Sequence, residues 1–115
     1  RLLEHHGQLE EALAIYIESL SYSPSHWELR KAIGRTHRLL GNHRQSIQIF
    51  KDWLKSSPTS GRLNYELALS YYAGGNKNKA LVHLETALVV WRNADETYES
   101  VINARLKWAE WNQVN

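Results

Sequence analysis

Lys31, Arg35 and Arg38 stand four and then three residues apart, a spacing that puts three cations along one face of a helix. Like charges in such a stripe repel unless something neutralises them. An acidic segment would do so through charge-assisted hydrogen bonds. Nothing comparable points to catalysis or to a metal. The six histidines show no HExxH or other ligand interval. His5 and His6 are adjacent, so on a helix they point about 100° apart. Cysteine is absent, which excludes disulfides and thiol chemistry. There is no GxSxG elbow and no glycine loop built to cradle phosphate. Glu10, Glu11, Asp95 and Glu96 are expected at helix starts, where the helix dipole favours carboxylates, and are read as caps rather than as acid/base pairs. Five tryptophans and six tyrosines could stack on bases, but most fall on apolar stripes and read as core. Trp108 and Trp111 are the exception: they either cap the core or mark an interface. The sequence thus predicts no catalytic residue, no metal ligand and no cofactor.

The elements that carry these residues repeat. Gly7, Gly41 and Gly75 lie 34 residues apart (41 − 7 and 75 − 41), and Pro24 and Pro58 keep the same interval (58 − 24). A fixed period of this length marks helix–turn–helix units stacked into a solenoid. Apolar residues recur at helical spacing: Leu9, Leu13, Tyr16, Ile17 and Leu20, then Leu29, Ile33, Leu39 and Leu40, then Ile47, Phe50, Trp53 and Leu54. Leu63, Leu67 and Tyr71 continue the pattern, followed by Leu81, Leu84 and Leu88, and Tyr98, Val101, Ile102, Arg105 and Ala109 outline the last helix. Ser25 to Glu28 reads as a capping box, with Asn42/Gln45 and Asn93/Glu96 as variants of it. Gly41 and Gly75 suit the left-handed turn that closes a helix. Helices are predicted at about 1–6, 8–22, 26–40, 43–56, 61–73, 77–91 and 95–112. Short connections make neighbours antiparallel.

A chain of 115 residues, 43% of them hydrophobic, is enough for one domain with a core. No apolar run approaches a membrane span, and no signal-peptide pattern opens the chain. Methionine is absent, which points to a segment of a longer polypeptide. The lack of cysteine suits a cytoplasmic protein, somewhat favoured here, and equally a disulfide-free periplasmic one. The net charge of +2 is unevenly spread: −3 over 1–26, +5 over 27–60, +2 over 61–94 and −2 over 95–115. The positive charge therefore sits mid-chain.

Period, helix pairs and residue types together resemble the tetratricopeptide repeat family. Trp27 opens the middle unit, Gly34 fills its small site, Gly41 the turn, Phe50 the large aromatic site and Pro58 the end. In the next unit Ala68, Tyr71 and Gly75 take the small, aromatic and turn places, and Ala80, Leu84 and Ala87 fill its second helix. The first unit keeps only its second half: Gly7, Ala12, Tyr16, Ser19 and Pro24. His37, Ser46, Trp53 and Arg92 depart from the pattern; the Trp53 ring should either splay the next helix or be accommodated by a small neighbour. The resemblance implies an all-α solenoid of antiparallel pairs: a partial repeat at 1–26, repeats at 27–60 and 61–94, and a capping helix at 95–115. Gly34→Leu should then cost at least about 1–3 kcal/mol by overpacking.

The resemblance also implies that the first helices of successive repeats line a concave groove. That mapping places Glu28, Lys31, Arg35 and Arg38, then Arg62, Tyr65, Glu66, Leu69 and Tyr72, then Glu96, Glu99 and Asn103 on one face. The expected partner-binding set is Lys31, Arg35, Arg38, Arg62, Tyr65, Leu69 and Tyr72. Arg35, Glu66, Glu96 and Ser100 do not fit the carboxylate clamp that some family members use on chaperone tails. The leading expectation is a protein-interaction scaffold holding an acidic segment, with no enzyme activity. The alternatives are an assembly module, working through the truncated first repeat and the Trp108/Trp111 surface as a possible homo-oligomer, and RNA binding through the basic middle repeat.

Overall fold

The computed structural model describes residues 2–93 and 98–113. Within them the chain forms six helices: α1 (Leu2–Tyr22), α2 (Trp27–Leu39), α3 (His43–Leu54), α4 (Gly61–Ala73), α5 (Lys77–Val90) and α6 (Glu99–Trp111). No strand occurs among the described residues. Each helix packs on its sequence neighbour, and α2 also meets α4. Short connections reverse the chain each time, so α2, α4 and α6 run the same way and the whole is an α-solenoid of antiparallel pairs.

Local chemistry explains most boundaries. Gly41 and Gly75 have φ of 85° and 89°, the left-handed region that glycine enters without steric cost. Their turns are closed by Asn42 N–H to His37 O (2.8 Å) and Asn76 N–H to Tyr71 O (2.9 Å), the wrapped ending that satisfies orphan carbonyls. Helix α2 is capped by His26, whose Nδ1 accepts from Leu29 N–H at 3.4 Å. The expected Ser25 box is not formed, because helical geometry starts one residue later, at Trp27. Asn42 occupies a cap position but turns its amide to His37 Nδ1 (3.2 Å), so it does not form its box. Ser60 and Asn76 cap α4 and α5 through Leu63 N–H and Lys79 N–H, both at 3.1 Å; neither was expected. The Asn93/Glu96 box depends on Glu96, which lies outside the described residues, as does Asp95.

Gly7 departs from expectation. It lies inside α1, which runs unbroken over the predicted break between 1–6 and 8–22. A Cβ at Gly7 would meet nothing within 4 Å, so no packing forces the chain to turn there. Continuing the helix gains a hydrogen bond per residue against a glycine penalty of about 1 kcal/mol. Glu10 and Glu11 consequently fall mid-helix rather than at a helix start. Ile17, assigned to the apolar stripe of this helix, is exposed.

The core centres on the α4–α5 pair. Leu67, Ala68, Ala80, Leu84 and Ala87 are fully buried there, with Phe50 from α3 and Ala104 and Trp111 from α6. Gly34 permits the α2–α3 contact: a Cβ on it would lie 2.5 Å from Phe50 Cζ, which no real packing tolerates. Gly61 does the same for Trp91, whose Nε1 would be 2.5 Å from an added Cβ. The departures from the repeat pattern also find physical roles. Ser46 is buried and donates to Gly34 O at 2.8 Å, while sharing a 2.7 Å bond with Ser70 Oγ. Trp53 is half-buried between two clefts. One, of about 440 Å³, is lined by Ile17, Leu20, Ile33 and Ile49; the other, of about 190 Å³, is lined by Trp27 and Leu63.

Candidate interaction surface

The face built by α2, α4 and α6 gathers the residues with binding chemistry. The cation stripe on α2 is real but does not stand free. Arg35 directs Nε (2.8 Å) and Nη2 to Glu66 Oε2. Arg38 reaches Glu66 Oε1 with Nη1 and Nη2, both at 3.2 Å, and Ser70 Oγ at 3.2 Å. Glu66 is 1% exposed, so this is a buried carboxylate held by two guanidinium groups, the arrangement a desolvated charge requires. The bond to Glu66 holds the Arg35 guanidinium above its usual pKa. The network continues inward from Arg38 through Ser70 and Ser46 to the carbonyl of Gly34. The expectation that the stripe needs an external anion is therefore corrected: α4 brings its own. Sequence reasoning missed the pairing because Glu66 is 31 residues from Arg35. Glu66 had been placed on the same face, so the signal was present but not read as an ion pair.

Two expected groove cations stand outside this network, Arg62 exposed and Lys31 with 19% of its side chain exposed. Lys31 Nζ lies 4.7 Å and Arg62 Cζ 4.9 Å from the centre of the Trp27 ring, both within cation–π range. Lys31 also has Glu28 Oε1 at 3.6 Å. Arg62 donates from Nη2 to Tyr98 Oη at 3.1 Å, and that hydrogen bond lowers the Tyr98 hydroxyl's pKa. Trp27 and Tyr98, which sequence reasoning left out of the set, thus help to hold these cations. Arg35 joins them in part, since its side chain is 47% exposed.

The aromatic members divide. Tyr65 is only 8% exposed and leans on Trp91, ring centres 5.9 Å apart; burial raises its hydroxyl pKa. It is wall rather than the flat contact expected of it. Tyr72 is partly exposed and stacks on Trp111 at 4.1 Å with planes 7° apart. Trp111 itself is 3% exposed, so it caps the core and shows only an edge to the outside. Leu69 and Tyr72 line a recess of about 480 Å³ with Arg38, Leu39, Lys107 and Trp111. Glu99 and Asn103 are exposed on α6; Glu96 lies outside the described residues.

Among the described residues no three His, Asp or Glu side chains converge on a metal-sized site, and no helix is long and apolar enough to cross a membrane. Residues 63–88 match a family model described as tetratricopeptide repeat; the match covers nearly all of the α4–α5 pair. Comparison with curated proteins gives no match.

Proposed function

We propose, from the tetratricopeptide repeat family assignment that residues 63–88 support, that this chain is an interaction scaffold whose α2–α4–α6 face receives an acidic segment of another protein. Tetratricopeptide repeats generally mediate protein–protein interaction and are typically non-catalytic. The finer reading rests on one observation: Lys31 and Arg62, from successive repeats, meet over the same partly exposed indole of Trp27. Both cations line the same recess as that ring, so a carboxylate entering it is attracted by both, and the partly exposed indole gives that ligand a rigid contact of low entropy cost. Arg35 adds a half-exposed guanidinium beside them, and Leu69 and Tyr72 an apolar contact. Arg38 and Tyr65 act from behind, by fixing Glu66 and the wall. The repeat boundaries proposed with this reading are 27–60 and 61–94, with a partial repeat before and a capping helix after.

The test is reversal of the two cations that meet the Trp27 ring, Lys31→Glu with Arg62→Glu. Arg35 and Arg38 are spared because they hold Glu66. A protein captured by the parent chain should be lost by the variant, with the circular dichroism melt of the variant unchanged. Recovery of the same partners by both forms would exclude this face.

A further inference from the structure

The α2–α4–α6 face is not uniform along the helix axes. Because the three helices run the same way, their N-terminal ends lie together and so do their C-terminal ends. The N-terminal end carries Trp27 and Lys31, Arg62 and Tyr98. It contains the recess of about 190 Å³ and benefits from the positive poles of the helices. The C-terminal end carries Leu39, Leu69, Tyr72 and Trp111 around the recess of about 480 Å³. Leu39 is 68% exposed there, a large apolar side chain beside an already apolar hollow. The ionisable pair at that end, Lys107 and Glu110, sums to zero. Arg38, the third ionisable group lining it, is already bound to Glu66, so a uniformly acidic ligand would gain at one end and find no net uncommitted positive charge at the other.

A polar strip joins the two ends. Glu66 lines the charged recess, and Arg38, which binds it, lines the apolar one. Resting on the proposed interaction role, we infer that the partner segment is bipartite and extended. One or two carboxylates sit on Lys31 and Arg62, and one large apolar side chain sits in the hollow at Leu39, Leu69 and Tyr72. Arg62 and Leu69 are seven residues apart on one helix, and Arg62 and Tyr72 ten, or roughly 10–15 Å at 1.5 Å per residue. An extended chain at about 3.3 Å per residue crosses that gap in roughly three to five residues. The polar strip favours an extended occupant over an amphipathic helix. A helix would lay a continuous apolar stripe over the half-exposed Arg35 guanidinium, whereas an extended backbone presents unpaired carbonyls that the exposed side of Arg35 can serve.

The experiment uses fluorescein-labelled synthetic peptides and anisotropy. Each carries a Glu-Asp pair and a Leu-Phe pair joined by Gly-Ser spacers of graded length, in both orders; controls carry only one pair. Binding should peak at a separation of about three to five residues, in one of the two orders. Lys31→Glu with Arg62→Glu should weaken the best peptide by about tenfold or more, to the level of the Leu-Phe control, and remove its salt dependence. Leu39→Ser should reduce it to the level of the Glu-Asp control and leave the salt dependence intact. If the Glu-Asp control binds as tightly as the best bipartite peptide, the acidic-ligand reading stands and the bipartite one is overturned. If no peptide distinguishes the parent chain from the charge-reversed variant, both are overturned.

Discussion

Glu66 decides what the basic residues of this protein are for. On a helical wheel Lys31, Arg35 and Arg38 look equivalent, yet Arg35 and Arg38 bind a buried carboxylate while Lys31 lies against the Trp27 ring and Glu28. Gly34 is similarly decided by one neighbour. With Phe50 Cζ 2.5 Å from where a Cβ would stand, Gly34→Ala should destabilise the protein by about 1–3 kcal/mol, read as a lower midpoint in urea. Phe50→Leu in the same chain should recover part of that loss, giving a non-additive cycle. His83 sets a pH dependence. Its Nδ1 meets Asn64 Oδ1 at 3.0 Å and its ring stacks on Tyr71. Burial, then Lys79 and Lys51, lower its pKa, and burial lowers that of His37. A histidine with a depressed native pKa leaves the unfolded chain binding more protons. The stability it contributes is full above the unfolded value of about 6.5 and is lost as pH falls below it. The melting temperature should therefore drop on acidification from pH 7, and His83→Gln should flatten that slope.

At the scale of the element, α6 is fastened by a short row of buried side chains, the largest of them a ring. Its buried residues are Val101, Ala104 and Trp111, and of these Trp111 alone reaches across to stack on Tyr72. Trp111→Ala should cost about 3–5 kcal/mol and should free α6 from the array. In amide hydrogen exchange, protection across 99–111 should collapse while α4 and α5 keep theirs; retention of protection in α6 would contradict the capping role. Helix α1 shows the opposite balance. None of its described side chains is fully buried, and Ile15, Ile17 and Tyr22 are exposed. Among the described residues it is held mainly through α2.

Across the whole molecule these differences form a gradient. Stability in a stacked array is a sum of unit terms and nearest-neighbour contacts, and here the burial is concentrated in α4 and α5. Exchange should be slowest in the α4–α5 pair, intermediate in α2–α3, and fastest in α1. Uniform protection across all six helices would argue instead for a single cooperative unit. The same gradient leaves the proposed interaction surface at α2–α4 anchored on its most buried side.

The period of 34, the turn glycines and the apolar stripes were legible in the sequence because each is a local consequence of backbone geometry and helical spacing. They pointed to an all-α stack, and the resemblance to the tetratricopeptide repeat family added the small sites Gly34 and Ala68. The candidate surface was legible only in part. Arg62, Lys31 and Tyr72 lie on the expected face, but the capture of Arg35 and Arg38, the burial of Tyr65 and Trp111 and the role of Trp27 depend on residues 26 to 39 positions away. Gly7 makes the same point in reverse: a repeat in the text became a turn at Gly41 and Gly75 and continuous helix at Gly7. Spacing along a chain tells which side chains share a helix face. Which of those faces meets a carboxylate, a ring or water is set by the neighbouring helix, and that only the tertiary packing supplied.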